Sequence, residues 1–319
     1  MSNERGFALL AVMLVLALLA VVVTELAVSM RLEASMVRSY KDGIVATHLA
    51  EGAVQQAIRE ILGPGGVQAL DEDGTLVFFL APDGSGLPVK LPKLPRERVA
   101  LGTGEFSYRI MDEESRINLN SAPPDRVDRL LAAIGVDKQA RDIINDSLQD
   151  WKDADELHRL NGAESEDFYL KLPVPYRARN GALQDTAELL QIRGVTREIY
   201  TGAKGQPGLV DLVTVAGRGT VNINTAPGPV LKTLGLSDAE VGDITQTRTR
   251  QPYTTVPPRF AGRGLAVGSA TFRIEAEGLT AGEPRARIVA IVQRRTGQPT
   301  GRAAPAIRVA ILSWRPAER

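Results

Sequence analysis

Gly6-Phe7-Ala8-Leu9-Leu10-Ala11-Val12-Met13-Leu14-Val15-Leu16-Ala17-Leu18-Leu19-Ala20-Val21-Val22-Val23 is an unbroken apolar run, and the next charge is Glu25. Polar residues with Glu4 and Arg5 precede it. A helix crosses a bilayer with roughly 17–25 apolar residues, so the run ties the chain to a membrane. From Phe7 to Leu62 there is no proline, and the only glycines are Gly43 and Gly52. Beyond the run, Met30, Val37, Ile44, Val45, Leu49, Val54, Ile58, Ile61 and Leu62 fall at helical spacing. Gly63-Pro64-Gly65-Gly66 then ends the pattern. The reading is one helix of about 55 residues, roughly 80 Å long, apolar all round at first and amphipathic after.

Three readings compete for its start. A secretory signal needs a 7–15-residue apolar core and a small-residue cleavage site. Here the core is longer, and helix formers continue through Leu26, Ala27, Met30, Leu32, Glu33, Ala34 and Met36. A plain signal anchor is the second reading. The third is a prepilin-type signal, with Arg5-Gly6 before the cut and Phe7 as the new N-terminus.

The remaining composition narrows the function. The chain has 319 residues, enough for one large or two modest domains. It has no cysteine, which removes disulfides, thiolate metal sites and thiol nucleophiles. Lys plus Arg and Asp plus Glu number 38 each, a balance that argues against a nucleic-acid footprint. Only His48 and His158 offer imidazoles, and they are far apart in sequence. No Gly-x-Ser-x-Gly elbow, Walker loop or dinucleotide fingerprint is present. The chain reads as a non-enzyme.

Beyond the helix, Val77-Phe78-Phe79 suggests one short strand. Phe106, Tyr108 and Ile110 alternate with polar neighbours, as in a half-buried strand. From Asn118 to about Arg250 the pattern is helical. Helices are expected after Pro123-Pro124, over Lys138 to Trp151, after Leu183-Gln184-Asp185-Thr186, and from Pro227. Strands return at Thr271–Ala276, Ala286–Gln293 and Ala306–Trp314. A lone strand near 105–111 would lack a partner. The economical topology is therefore a helical block inserted into a sheet that packs on the long helix.

Ile117-Asn118-Leu119-Asn120-Ser121-Ala122-Pro123 recurs as Val221-Asn222-Ile223-Asn224-Thr225-Ala226-Pro227. The expected role is helix entry, with polar side chains on free N–H groups and proline where a missing N–H costs nothing. The segments also resemble the entry to helix-hairpin-helix units. That alternative makes the chain a membrane-anchored DNA-binding protein of competence type. The expected Gly-x-Gly hairpin is missing at Ile134-Gly135-Val136-Asp137 and Ile192-Arg193-Gly194-Val195-Thr196.

Asp150-Trp151-Lys152-Asp153-Ala154-Asp155-Glu156 leads into Asn161-Gly162-Ala163-Glu164-Ser165-Glu166-Asp167. Carboxylates beside Gly and Asn suit a hard cation that takes six to eight oxygens. The spacing does not fit an EF-hand, and on the motif alone a solvated acidic loop is the plainer reading of the same residues. Asp112-Glu113-Glu114 is a second acidic cluster, at a strand end.

Taken together, the chain resembles the minor pseudopilin K family of type II secretion, also called general secretion pathway protein K. The resemblance covers nearly the whole chain. It rests on Arg5-Gly6-Phe7 with the apolar helix, Ile117-Asn118-Leu119-Asn120, Asp150-Trp151-x-Asp153-x-Asp155, Asn161-Gly162-Ala163-Glu164 and Pro175-Tyr176. Glu188-Leu189-Leu190, Arg193-Gly194-Val195-Thr196 and Val221-Asn222-Ile223-Asn224-Thr225 complete it. Position five after the cut is Ala11, where most pilins carry a Glu thought to pair with the N-terminal amine of the subunit above. A subunit with nothing above it has no use for that carboxylate.

The resemblance implies an α+β, pilin-like fold, with the long helix packed on an antiparallel sheet and a large all-α insertion. The implied segments are a leader over 1–6, the helix over 7–62, the sheet domain over 63–111 and 265–319, and the insertion over 112–264. Prepilin peptidase would cut between Gly6 and Phe7, and the new amine would be methylated. Minor pseudopilins I and J would be partners at the pseudopilus tip, supporting protein secretion across the outer membrane. The helix would cross the inner membrane once, leaving the C-terminal domain in the periplasm. Nucleic acid and small-molecule substrates are not expected. Structural Ca2+ is implied in the insertion, on Asp150, Asp153, Asp155 and Glu164, with Glu166 and Asp167 in reserve.

Overall fold

The computed structural model describes residues 3–82, 86–203, 205–296 and 307–317. Residues Met1 and Ser2 of the expected leader lie outside the described residues. Helix α1 runs without interruption over Asn3–Ile61, about 88 Å at 1.5 Å per residue. Gly6 and Phe7 both lie within it, and Phe7 is exposed. From Phe7 to Lys41 the helix is exposed throughout, whereas Ala46, Leu49, Ala50, Ala53, Val54, Ala57 and Ile61 are buried. Their three-and-four spacing puts them on one face, which packs on the main sheet.

Strands β1 (Val67–Leu70), β2 (Leu76–Leu80) and β3 (Val89–Lys90) form a small antiparallel sheet. The sequence pattern suggested one strand here. The first partner was hidden because Val67, Gln68 and Ala69 are all buried, which removes the alternation. Strands β4 (Val99–Leu101) and β5 (Gly104–Asp112) follow, and the chain then enters the insertion. Its elements are β6 (Ile117–Asn118), α2 (Pro124–Ala133), α3 (Lys138–Lys152), α4 (Arg197–Thr201), α5 (Leu209–Leu212), β7 (Val213–Thr214), β8 (Val221–Asn222), α6 (Gly228–Thr233), α7 (Asp238–Arg250) and β9 (Leu265–Ala266). The last strands are β10 (Thr271–Thr280), β11 (Glu283–Thr296) and β12 (Ile307–Pro316). Ala306, the first residue of the expected last strand, lies outside the described residues.

The main sheet has the order β12-β11-β10-β5-β4, with every pair antiparallel. Strand β5 finds its partner only after the insertion: Asp112 faces Phe272 and Ile110 faces Ile274. The insertion thus leaves and returns at one end of two neighbouring strands. Close packing against α1 depends on Gly278, where a Cβ would sit 1.8 Å from the Ala46 carbonyl oxygen. Two separate apolar clusters result. One joins α1 to the sheet, and the other fills the insertion around Leu130, Leu148, Trp151, Tyr169, Val213, Val230 and Ile244.

Two details of the insertion depart from expectation. The segment after Asp185 is a six-residue 3-10 turn, Thr186–Gln191, closed by an Asp185/Glu188 capping box rather than a full α-helix. The Asn-x-Asn segments do not cap the helices that follow them. Pro123 and Pro227 stand at those caps, without side-chain hydrogen bonds. The asparagines clamp loops instead. Asn120 accepts from Leu183 N at 2.8 Å and donates to the Leu183 and Val215 carbonyls. Asn224 repeats the pattern on Tyr253 N, Tyr253 O and Val267 O. Each segment also forms a short parallel pairing, β6 with β7 and β8 with β9. The sequence repeat is therefore a structural repeat, and α2 packs against α6.

Candidate metal centre

The acidic segment begins on α3. Asp137 caps this helix by accepting from Ala140 N at 3.0 Å, and Ile144, Ser147, Leu148, Asp150 and Trp151 form its buried face. Asp150 lies in the last turn, and Asp153 is the C-terminal cap with extended backbone. The chain then folds back. Asn161 donates through its N and Nδ2 to Asp146 Oδ2, which ties the returning loop to α3. At Gly162 a Cβ would meet Asp150 Oδ2 at 1.8 Å, so only glycine lets the loop pass there. Glu164 follows, its N–H donated to Asp167 Oδ1 at 2.9 Å.

Carboxylate oxygens of Asp153, Asp155 and Glu164 lie within 4.8 Å of one another. Asp155 is exposed, Asp153 half-buried, and Glu164 only 1% exposed. Both Glu164 oxygens and Asp153 Oδ1 are buried with no hydrogen-bond partner among the described residues. Burial pushes the Glu164 carboxyl up to about 7, helped by the negative charges of Asp150, Asp153, Glu156 and Asp155. A buried carboxylate without a donor is costly. A proton or a cation removes that cost, and a hard divalent cation takes just such oxygens. The residues therefore fit the ion that the sequence resemblance implies.

Asp150 stands apart from the trio. It is 0% exposed, and its oxygens accept from Arg159 N and from Arg159 Nη1 at 2.6 Å. Burial raises its pKa, and the Arg159 contacts oppose the rise. The two reserves have other tasks. Glu166 makes an exposed ion pair with Arg177 at 3.1 Å. Asp167 takes the Glu164 N–H and lies 3.7 Å from His158 Nε2. Arg159 and Gly162 were passed over in the sequence, although Gly162 sits inside the quoted Asn-Gly-Ala-Glu motif. Trp151 packs edge-on against Tyr169 at 5.2 Å in the core of the insertion.

The Asp112-Glu113-Glu114 cluster has become the joint between sheet and insertion. Asp112 Oδ2 accepts from Asn222 Nδ2 at 2.9 Å, Thr225 Oγ1 at 2.6 Å and Ser269 Oγ at 2.7 Å. Asp112 Oδ1 takes Glu114 N at 2.8 Å. Burial still raises Asp112 to about 6. Glu113 binds Arg116, Arg273 and Thr214. Glu114 binds Arg218, Thr271 and Ala270 N.

The hairpin between α2 and α3 keeps its N–H groups for itself. Gly135 N bonds Ala132 O and Val136 N bonds Leu131 O, each at 3.0 Å.

The fold and site define a class: an α+β protein with a long apolar N-terminal helix and a helical insertion carrying a carboxylate cluster. The helix has an 18-residue window of mean hydropathy 3.1, none of it buried, and fits a single-pass membrane anchor. The family model for type II secretion system (T2SS), protein K, matches residues 110–204. The type II secretion system protein K of Pectobacterium carotovorum subsp. carotovorum is 30% identical over 219 residues, 62% of this chain and 61% of that protein. That of Pseudomonas aeruginosa PAO1 is 28% identical over 212 residues, 60% of this chain and 61% of that protein. The chain thus spans about three fifths of these relatives. A chain from the crystal structure of the GspK-GspI-GspJ complex of enterotoxigenic Escherichia coli matches with a TM-score of 0.65 and 18% identity. The match covers 90% of this chain and 100% of that one, and it establishes the fold. The chain is thus similar to type II secretion system protein K, by the family model over residues 110–204 and by these relatives over about three fifths of their length.

Proposed function

We propose that this chain is a minor pseudopilin, a structural component of type II secretion rather than an enzyme. The observation that carries this reading is the split character of α1. From Phe7 to Val23 it is exposed and apolar, and its last turns are packed under the sheet that bears the insertion. A helix of this kind suits a subunit that is stored in a membrane and then drawn into a fibre. On this reading the apolar half crosses the inner membrane and the folded part stands in the periplasm. Prepilin peptidase cuts between Gly6 and Phe7, and the new amine is methylated. The similar solved chain comes from a complex named for GspK, GspI and GspJ. That supports minor pseudopilins I and J as partners here, in a complex at the pseudopilus tip that serves secretion across the outer membrane.

Asp153, Asp155 and Glu164 would hold a calcium ion, with Asp150 behind them on Arg159. When bound, the ion neutralises and cross-links converging carboxylates. The chain's own residues supply the rest: α3 fixes Asp153, and the Asn161–Asp146 contact brings Glu164 back to it. The DNA-binding reading has no comparable support, because the hairpin N–H groups are spent internally and the net charge is zero.

Co-expression of the full chain with minor pseudopilins I and J, followed by size-exclusion chromatography, tests the assembly. A chain that stays monomeric with every candidate would overturn it. Intact mass of the mature protein tests the processing, and a mass that includes Met1–Gly6 would argue for a plain anchor.

A further inference from the structure

The loop that brings Glu164 to α3 also carries a cation of its own. Arg159 Nη1 lies 2.6 Å from Asp150 Oδ1 and 2.7 Å from Asp153 Oδ2. Asp153 therefore faces two ways. Its Oδ2 meets Arg159, while its buried Oδ1 has no partner among the described residues. Asp150 is served twice, since the Arg159 backbone N–H also reaches its oxygens at 3.1 and 3.3 Å. Loss of the guanidinium would still leave Asp150 one donor. The Arg159 side chain is 43% exposed, so it has water to move into. The other nearby cations are engaged elsewhere. Lys152 donates to the Leu119 carbonyl, Arg193 to the Gly162 carbonyl, and His158 lies against Asp167.

We propose that Arg159 is a built-in counter-ion of this site: it neutralises Asp150 and Asp153 in the ion-free chain and thereby weakens the site's hold on a divalent cation. The inference rests on the ion reading above. A contact that stabilises only the ion-free state lowers ion affinity by the same free energy, since coupling is reciprocal. Such couplings are typically 5–150-fold. The guanidinium gives the folded loop a tolerable charge before any ion arrives, and it sets the calcium concentration at which the site fills.

The test uses the full chain in detergent, with calcium titrated calorimetrically and unfolding followed in chelator. Arg159→Gln is expected to bind calcium about tenfold more tightly and to melt several degrees lower than wild type in chelator. Arg159→Lys keeps the charge but lacks the planar fork, so its affinity falls between the two. If the Gln variant does not fold without calcium, the Lys variant alone decides by the same ordering. Affinity in either variant equal to or weaker than wild type would overturn the proposal, as would an unchanged melting temperature of Arg159→Gln in chelator. Wild-type protein that takes up no calcium overturns the ion reading itself, and that result is read before any variant is made.

Discussion

The two acidic clusters of this chain are alike in sequence and opposite in structure. At Asp112-Glu113-Glu114, buried carboxylates are surrounded by donors drawn from residues 214–273. At Asp153, Asp155 and Glu164, carboxylates converge and the buried oxygens of Asp153 and Glu164 are left bare. The first cluster is finished by the protein alone and joins two substructures. The second is complete only with a proton or a cation added from outside. The difference lies in the spatial neighbours, because both clusters are built from the same two side-chain types, Asp and Glu.

The largest expected effect breaks the first cluster. Asp112→Ala strands the donors of Asn222, Thr225 and Ser269 in a buried joint. It should cost about 3–5 kcal/mol by chemical denaturation. A loss under about 1 kcal/mol would mean the joint is not what holds sheet and insertion together.

Next, Glu164→Gln should stabilise the calcium-free chain. Glu164 is raised from 4.5 to about 7. Its proton therefore favours the folded state fully below 4.5, and that contribution is lost as pH rises through 7. The charged, unpartnered form then costs on the order of 3 kcal/mol at pH 8, which the amide removes. In chelator, wild type should lose about 1.4 kcal/mol between pH 6 and pH 8 through this group. Asp112, raised to about 6, adds a slope of the same sign concentrated below pH 6. A wild-type stability that rises from pH 6 to 8 in chelator would show that Glu164 is not held bare.

Calcium should matter to one cluster only. At a hundredfold excess over Kd, an ion that binds only the folded state adds roughly 2.7 kcal/mol. Chelation should lower the melting temperature, magnesium should substitute poorly, and Asp153→Ala should abolish the response while Asp112 variants retain it. Equal loss of the response in both would erase the contrast.

The smallest effect is expected at Glu166, whose ion pair with Arg177 is exposed on both sides. Glu166→Ala should change stability by less than about 1 kcal/mol and leave calcium affinity unaltered. A marked loss of affinity would enlarge the ligand set.

Much of this was legible in the chain. The apolar run and the strands on either side of the insertion follow from local periodicity, which survives in any context. Of the stripe read on the helix, Leu49, Val54 and Ile61 are buried, whereas Met30, Val37, Ile44 and Leu62 are exposed and Ala46, Ala50, Ala53 and Ala57 fill the packed face instead. The site was legible in part. Asp153, Asp155 and Glu164 were named as candidates, and the structure brings them together, whereas Asp150 went to Arg159. Arg159 itself carries no motif. The Asn-x-Asn repeat was visible, but its use was misread as capping because the loops it clamps start as far away as Leu183 and Tyr253.

Residue types and their spacing thus determined by themselves that the chain has a long helix, apolar then amphipathic, and a helical block between strands of one sheet. Those properties depend on neighbours a few positions apart, where backbone geometry alone sets which residues share a face. Tertiary structure alone decided which carboxylates are paired and which are bare. Hydrogen-bond donors for Asp112 come from residues more than a hundred positions away. The approach of Glu164 to Asp153 depends on the loop passing at Gly162. A charge's energy is set by the donors and dielectric around it, and only the folded chain assembles those.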